Sequence, residues 1–131
     1  MRYVLRGYLL VACLIFIVGS AVAQSKQRVK FSKGATSTTI KGTIRGFDYR
    51  DYLVEASAGQ TINIKLNSPN TYTMFGIFRP DGENLDRAAQ VADFAGKLPE
   101  TGDYTIRVAM MRAEARRKGS VSDYSLTISI Q

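Results

Sequence analysis

The chain has 131 residues, with 18 basic and 11 acidic side chains, a net charge of +7, no histidine and one cysteine. Missing histidine and nearly missing cysteine remove the usual general base and the soft metal ligands, which argues against thiol or zinc chemistry. The basic balance favours anionic partners such as a glycan, nucleic acid, a lipid surface or an acidic cleft.

In chain order, Arg2 and Arg6 precede an apolar run from Tyr8 to Val18, and Ala21-Val22-Ala23 supplies the small residues of a cleavage site. Residues 1–23 therefore read as a signal peptide, and residues 24–131 as one exported domain. The apolar run is too short to predict a membrane span, so no stable membrane anchor is expected. A competing reading is a lipoprotein box at Leu10-Val11-Ala12-Cys13, with lipid on Cys13. Against it, mostly apolar residues follow Cys13 where a polar tether would normally stand. Cleavage before Gln24 removes that cysteine and leaves a disulfide-free domain. A chain of this size hides roughly 60–70% of its unfolded surface, enough for one core.

From Lys30 onward the dominant period is two, which predicts strands near 28–32, 37–45, 50–56, 60–67, 72–79, 103–110 and 122–130. Ser57-Ala58-Gly59-Gln60 reads as a tight hairpin, and Pro80-Asp81-Gly82 as a turn. Leu98-Pro99-Glu100-Thr101-Gly102-Asp103-Tyr104 suggests a tyrosine corner. Residues 82–97 are ambiguous between a loop with a helical turn and an irregular edge strand. The fold expected is all-β, a single antiparallel β-sandwich of jelly-roll-like form. Its core should hold Tyr52, Val54, Ile62, Ile64, Leu66, Tyr104, Ile106, Val108, Tyr124, Leu126 and Ile128.

Candidate chemistry is sparse. Asp48 and Asp51 are the nearest carboxylate pair, and read as solvated turn residues rather than a glycosidase dyad. Asp81, Glu83 and Asp86 match no calcium-loop spacing and read as an acidic turn. No phosphate-cradling glycine loop is present. Neither catalytic residues, a metal site nor a cofactor is expected.

Two segments point to binding. Met110-Met111-Arg112-Ala113-Glu114-Ala115-Arg116-Arg117-Lys118-Gly119 places four cations and one anion in what reads as a hairpin connection. If it makes a helical turn, Arg112 and Arg116 stand at i and i+4 on one face. Two such guanidinium forks suit a carboxylate-lined cavity; alternatively the segment is a solvated loop end with Glu114 pairing internally. Gly46-Phe47-Asp48-Tyr49-Arg50-Asp51-Tyr52 either presents Phe47 or Tyr49 as an anchor or buries both rings.

Together these segments resemble the bacterial periplasmic inhibitors of g-type (goose-type) lysozyme. The likeness is carried by Phe31-Ser32-Lys33-Gly34, Gly42-Thr43-Ile44-Arg45-Gly46-Phe47-Asp48-Tyr49, Ala58-Gly59-Gln60, the Leu98–Tyr104 segment, Arg107-Val108, Met111-Arg112-Ala113-Glu114-Ala115-Arg116 and the terminal strand with Tyr124. The resemblance implies a periplasmic, non-catalytic β-sandwich whose loops block the lysozyme cleft and so protect peptidoglycan. The contact set it implies is Arg112, Arg116, Arg117, Phe47, Asp48 and Tyr49. Phe47 departs from the family pattern, which has Tyr there, and this puts potency in question. The alternative is a secreted module, like the pre-peptidase C-terminal domains, that binds an anionic glycan or envelope polymer. Nucleic acid is disfavoured, because the aromatics occupy core-type alternating positions rather than interleaving with cations.

Overall fold

The computed structural model describes residues 24–131; the expected signal peptide and Cys13 lie outside the described residues. Eight strands form two four-stranded sheets: β1 (Gln24–Arg28), β2 (Ser37–Arg45), β3 (Tyr49–Ala56), β4 (Thr61–Asn67), β5 (Thr73–Phe78), β6 (Asp93–Lys97), β7 (Gly102–Met110) and β8 (Val121–Ile130). One sheet has the order β1-β3-β7-β5, the other β2-β8-β4-β6. Odd strands build one sheet and even strands the other, so the chain changes sheet at every connection. All pairings are antiparallel except β1 with β3, which is parallel.

Alternation explains the packing. In β4, Ile62, Ile64 and Leu66 are buried between exposed neighbours; β7 and β8 alternate likewise, burying Tyr104, Ile106 and Val108, and Tyr124, Leu126 and Ile128, between neighbours that are mostly half-buried. Every core residue expected from the sequence is buried, joined by Ile44, Phe75, Ile77 and Leu98. Each such side chain contributes about 1.5–3 kcal/mol by leaving water. Polar tips inside the core are satisfied. Tyr104 Oη donates to the Glu100 carbonyl at 2.7 Å and accepts from the Glu100 amide at 2.9 Å, closing the tyrosine corner. Tyr52 and Tyr124 share a hydrogen bond of 2.6 Å between the sheets. Gly42 makes room for that pair: a Cβ there would lie 2.5 Å from Tyr124 Oη.

Several expectations need correction. The turn at Ser57–Gln60 closes with a Gln60 amide to Ser57 carbonyl bond, and Gly59 takes φ +88°. It is not a hairpin, because it carries the chain from one sheet to the other. The basic connection from β7 to β8 is likewise a crossover rather than a hairpin end. The first strand lies at Gln24–Arg28 rather than 28–32. It is an edge strand, and Ser25, Lys26, Gln27 and Arg28 are polar and exposed; buried Val29 follows it and donates its amide to the Leu53 carbonyl. Residues 93–97 form the edge strand β6. The preceding stretch runs beside β5, with amide bonds from Leu85 to Ile77, Ile77 to Ala88 and Phe75 to Val91. Arg87 and Gln90 adopt φ of 61° and 53°, which resets the side-chain alternation and hides the pattern from sequence reading.

Candidate functional site

The basic segment leaves β7 through Met111 and makes one helical turn, α1 (Arg112–Ala115). Ala, Glu and Arg are good helix formers, yet Met111 offers no side-chain cap. The turn is held instead by its surroundings. The Glu114 and Ala115 amides bond the Met111 carbonyl, and Ala115 is buried at 5% exposure. Ser120 Oγ donates to the Ala115 carbonyl at 3.2 Å. The Ser120 carbonyl accepts the Gly46 amide at 3.1 Å, drawing the Phe47 turn against the basic loop. Gly46 has φ +55°, a conformation that suits glycine.

Asn70, in the β4–β5 connection, ties the third element to this end. Its Nδ2 donates to the Val121 carbonyl at 3.1 Å and to Glu114 Oε1 at 3.3 Å, while its Oδ1 accepts the Tyr72 amide at 3.1 Å. The Met111 amide in turn donates to the Tyr72 carbonyl at 2.9 Å. Three connections are thus pinned into one surface.

On that surface Arg112 and Arg116 are exposed and one turn apart, linked by an Arg116 amide to Arg112 carbonyl bond of 3.1 Å. Neither guanidinium has an ion pair or side-chain hydrogen bond among the described residues. Arg117 lies 3.4 Å from Glu114 Oε2 with its side chain 72% exposed. Phe47 is 59% exposed. Asp48 is half-buried in the turn, its amide donating to the Arg45 carbonyl at 3.0 Å.

Tyr49 is placed differently. Its ring lies under the Arg107 guanidinium, 4.1 Å from carbon to centroid, and Phe78 lies 5.2 Å from the same group. Arg107 bonds Asp51 through Nε at 2.8 Å and Nη2 at 2.9 Å. Asp51 is therefore no solvated turn carboxylate: it is 2% exposed, directly across the β3–β7 ladder from Arg107. The Asp51 hydrogen bonds hold the Arg107 pKa above its ordinary value, against the opposing effect of burial. Among the described residues no cluster of His, Cys, Asp and Glu is built to hold a metal.

No family model matches the chain. Over 125 residues it is 31% identical to an inhibitor of g-type lysozyme from Escherichia coli (strain K12), covering 92% of this chain and 93% of that protein. The chain belongs to the g-type lysozyme inhibitor family. The crystal structure of Aeromonas hydrophila PliG, a periplasmic inhibitor of g-type lysozyme, matches with a TM-score of 0.74 and 35% identity, over 82% of this chain and 97% of that one. The Salmonella Typhimurium PliG structure matches at 0.67 and 26% identity, over 82% and 98%. The family likeness spans the sandwich and the loops together.

Proposed function

We propose that this protein inhibits g-type lysozyme in the periplasm by lodging its basic loop in the enzyme's substrate cleft, without catalysing any reaction itself. Family membership supports the inhibitory role and the compartment. The observation that carries the mechanism is the pair of exposed guanidiniums, Arg112 and Arg116, without an ion pair among the described residues, on a turn fixed by Ala115 and Asn70. A lysozyme protonates its glycosidic oxygen with an acidic residue in the cleft. Arginine forks bond such carboxylates in a bidentate, charge-assisted manner, and a filled cleft excludes substrate and water. Phe47 adds an exposed ring beside the loop; lacking the tyrosine hydroxyl, it keeps the packing and gives up one hydrogen bond.

The test is peptidoglycan hydrolysis by goose-type and chicken-type lysozymes, each titrated with residues 24–131. Stoichiometric loss of the goose-type activity is expected, relieved by Arg112→Glu and weakened by salt. Inhibition unchanged by charge reversal rules out the loop mechanism. Retention on purified envelope polymer with no effect on either enzyme rules out inhibition altogether.

A further inference from the structure

The large hydrophobic side chains exposed among the described residues are Phe47, Tyr72, Met111 and Val121, at 59%, 51%, 41% and 39%. Phe47, Tyr72 and Met111 come from three connections far apart in sequence and Val121 opens β8, yet all four border the basic loop. The Met111 amide bonds the Tyr72 carbonyl; Val121 lies across the β2–β8 ladder from Arg45; and Phe47 follows Gly46, whose amide bonds Ser120. Tyr72 and Val121 also line one shallow depression together with Arg117. The outward-facing Met74 and Phe78 of β5 are half-buried, so among the described residues the exposed large apolar side chains gather at this one end.

We infer that Tyr72, Met111 and Val121 join Phe47 in an apolar collar that packs against the walls of the lysozyme cleft around the inserted arginines. The inference rests on the proposed inhibition and divides its energetics in two. Ligand clefts are lined mostly by apolar and aromatic groups with a few placed polar ones, so a plug that met only the acids would leave the walls wet. Buried charge pairs and dry aromatic contacts both slow departure, but only the charged contacts depend on salt. The arginines therefore supply the salt-dependent share of the complex's lifetime, and the collar supplies the salt-independent share. Asn70 supports both, holding Glu114, the Tyr72 amide and the Val121 carbonyl in one hydrogen-bonded knot.

Binding kinetics on immobilised goose-type lysozyme, at low and high salt, test this. The variant Tyr72→Ser/Met111→Ser changes exposed side chains and leaves the backbone bond between them untouched, so its melting temperature should match the parent's. Dissociation is expected to accelerate about tenfold or more, with association within about twofold and the slope of log Kd against log salt unchanged. Arg112→Gln should also speed dissociation, but unlike the collar variant it should flatten the salt slope. If the parent binds and the double serine variant dissociates at the parental rate, the collar lies outside the interface and the inference is wrong. If the parent itself fails to bind the enzyme, the inhibitory reading has failed and takes the collar with it.

Discussion

Arg107 and the Arg112–Arg116 pair carry the same guanidinium chemistry in opposite settings. On the outer face of the β1-β3-β7-β5 sheet, Arg107 is gripped by a buried carboxylate and lies against two rings. Nearby, Arg28 and Asp103 are joined by two hydrogen bonds of 2.9 and 2.8 Å. At the loop end, the loop's own acid, Glu114, is engaged by Asn70 and Arg117, and Arg112 and Arg116 have no ion pair among the described residues. The sheet face consumes its cations to hold strands together; the loop withholds its acid and keeps two cations available. Counting charges along the sequence does not separate these uses. The position of each carboxylate does.

The largest effect that sharpens this contrast is Arg112→Glu/Arg116→Glu. Losing a desolvated charge pair at an interface costs 2–5 kcal/mol, so the inhibition constant should rise roughly a thousandfold, while thermal unfolding stays close to the parent's. Arg107→Ala should invert the outcome. It strands Asp51 as a buried carboxylate, at a cost of about 3 kcal/mol and a melting temperature lower by roughly 10–20 °C, while inhibition per folded molecule stays unchanged. Strong loss of inhibition in a folded Arg107 variant would break the comparison. Asn70→Ala touches both properties: about 1–2 kcal/mol of stability, together with inhibition weakened by less than about tenfold, read by calorimetry and titration.

The smallest effect is in acid. Hydrogen bonding to Arg28 holds the Asp103 pKa below its ordinary value of 3.8. The folded state thus resists a proton that the unfolded chain accepts, so the pair's contribution is present above about pH 4 and is lost as pH falls through the lowered value. Urea midpoints between about pH 2.5 and 6 should fall more steeply for the parent than for Arg28→Ala.

Much of the fold was legible because alternation is a local signal. The strands around Ile62, Ile106 and Leu126 announced both their state and their buried face, and the Leu98–Tyr104 segment announced its own hydrogen bond. Which sheet each strand joins was not legible, since pairing is decided by distant partners; hence the Ser57–Gln60 turn was misread as a hairpin. At the site, the charged loop and the Phe47 turn stood out in composition and family likeness, and the structure brings them to one end. Asp51 was misjudged because its burial depends on Arg107, 56 positions away. Met111 stood out only as part of the charged loop, and Tyr72 and Val121 gave no signal at all: a lone apolar residue at a strand end looks the same whether it faces solvent or core.

The strand order has a consequence for how the molecule is made. Within the sheets β3 meets β5 only through β7, and β2 meets β4 only through β8. Both assemblies therefore wait for the last thirty or so residues to emerge, with no early hairpin to act as a seed. Such non-local topologies mature in milliseconds to seconds rather than microseconds. Until its C-terminal strand arrives, the nascent chain carries open, sticky edges, and the two arginines of the loop have no platform from which to act.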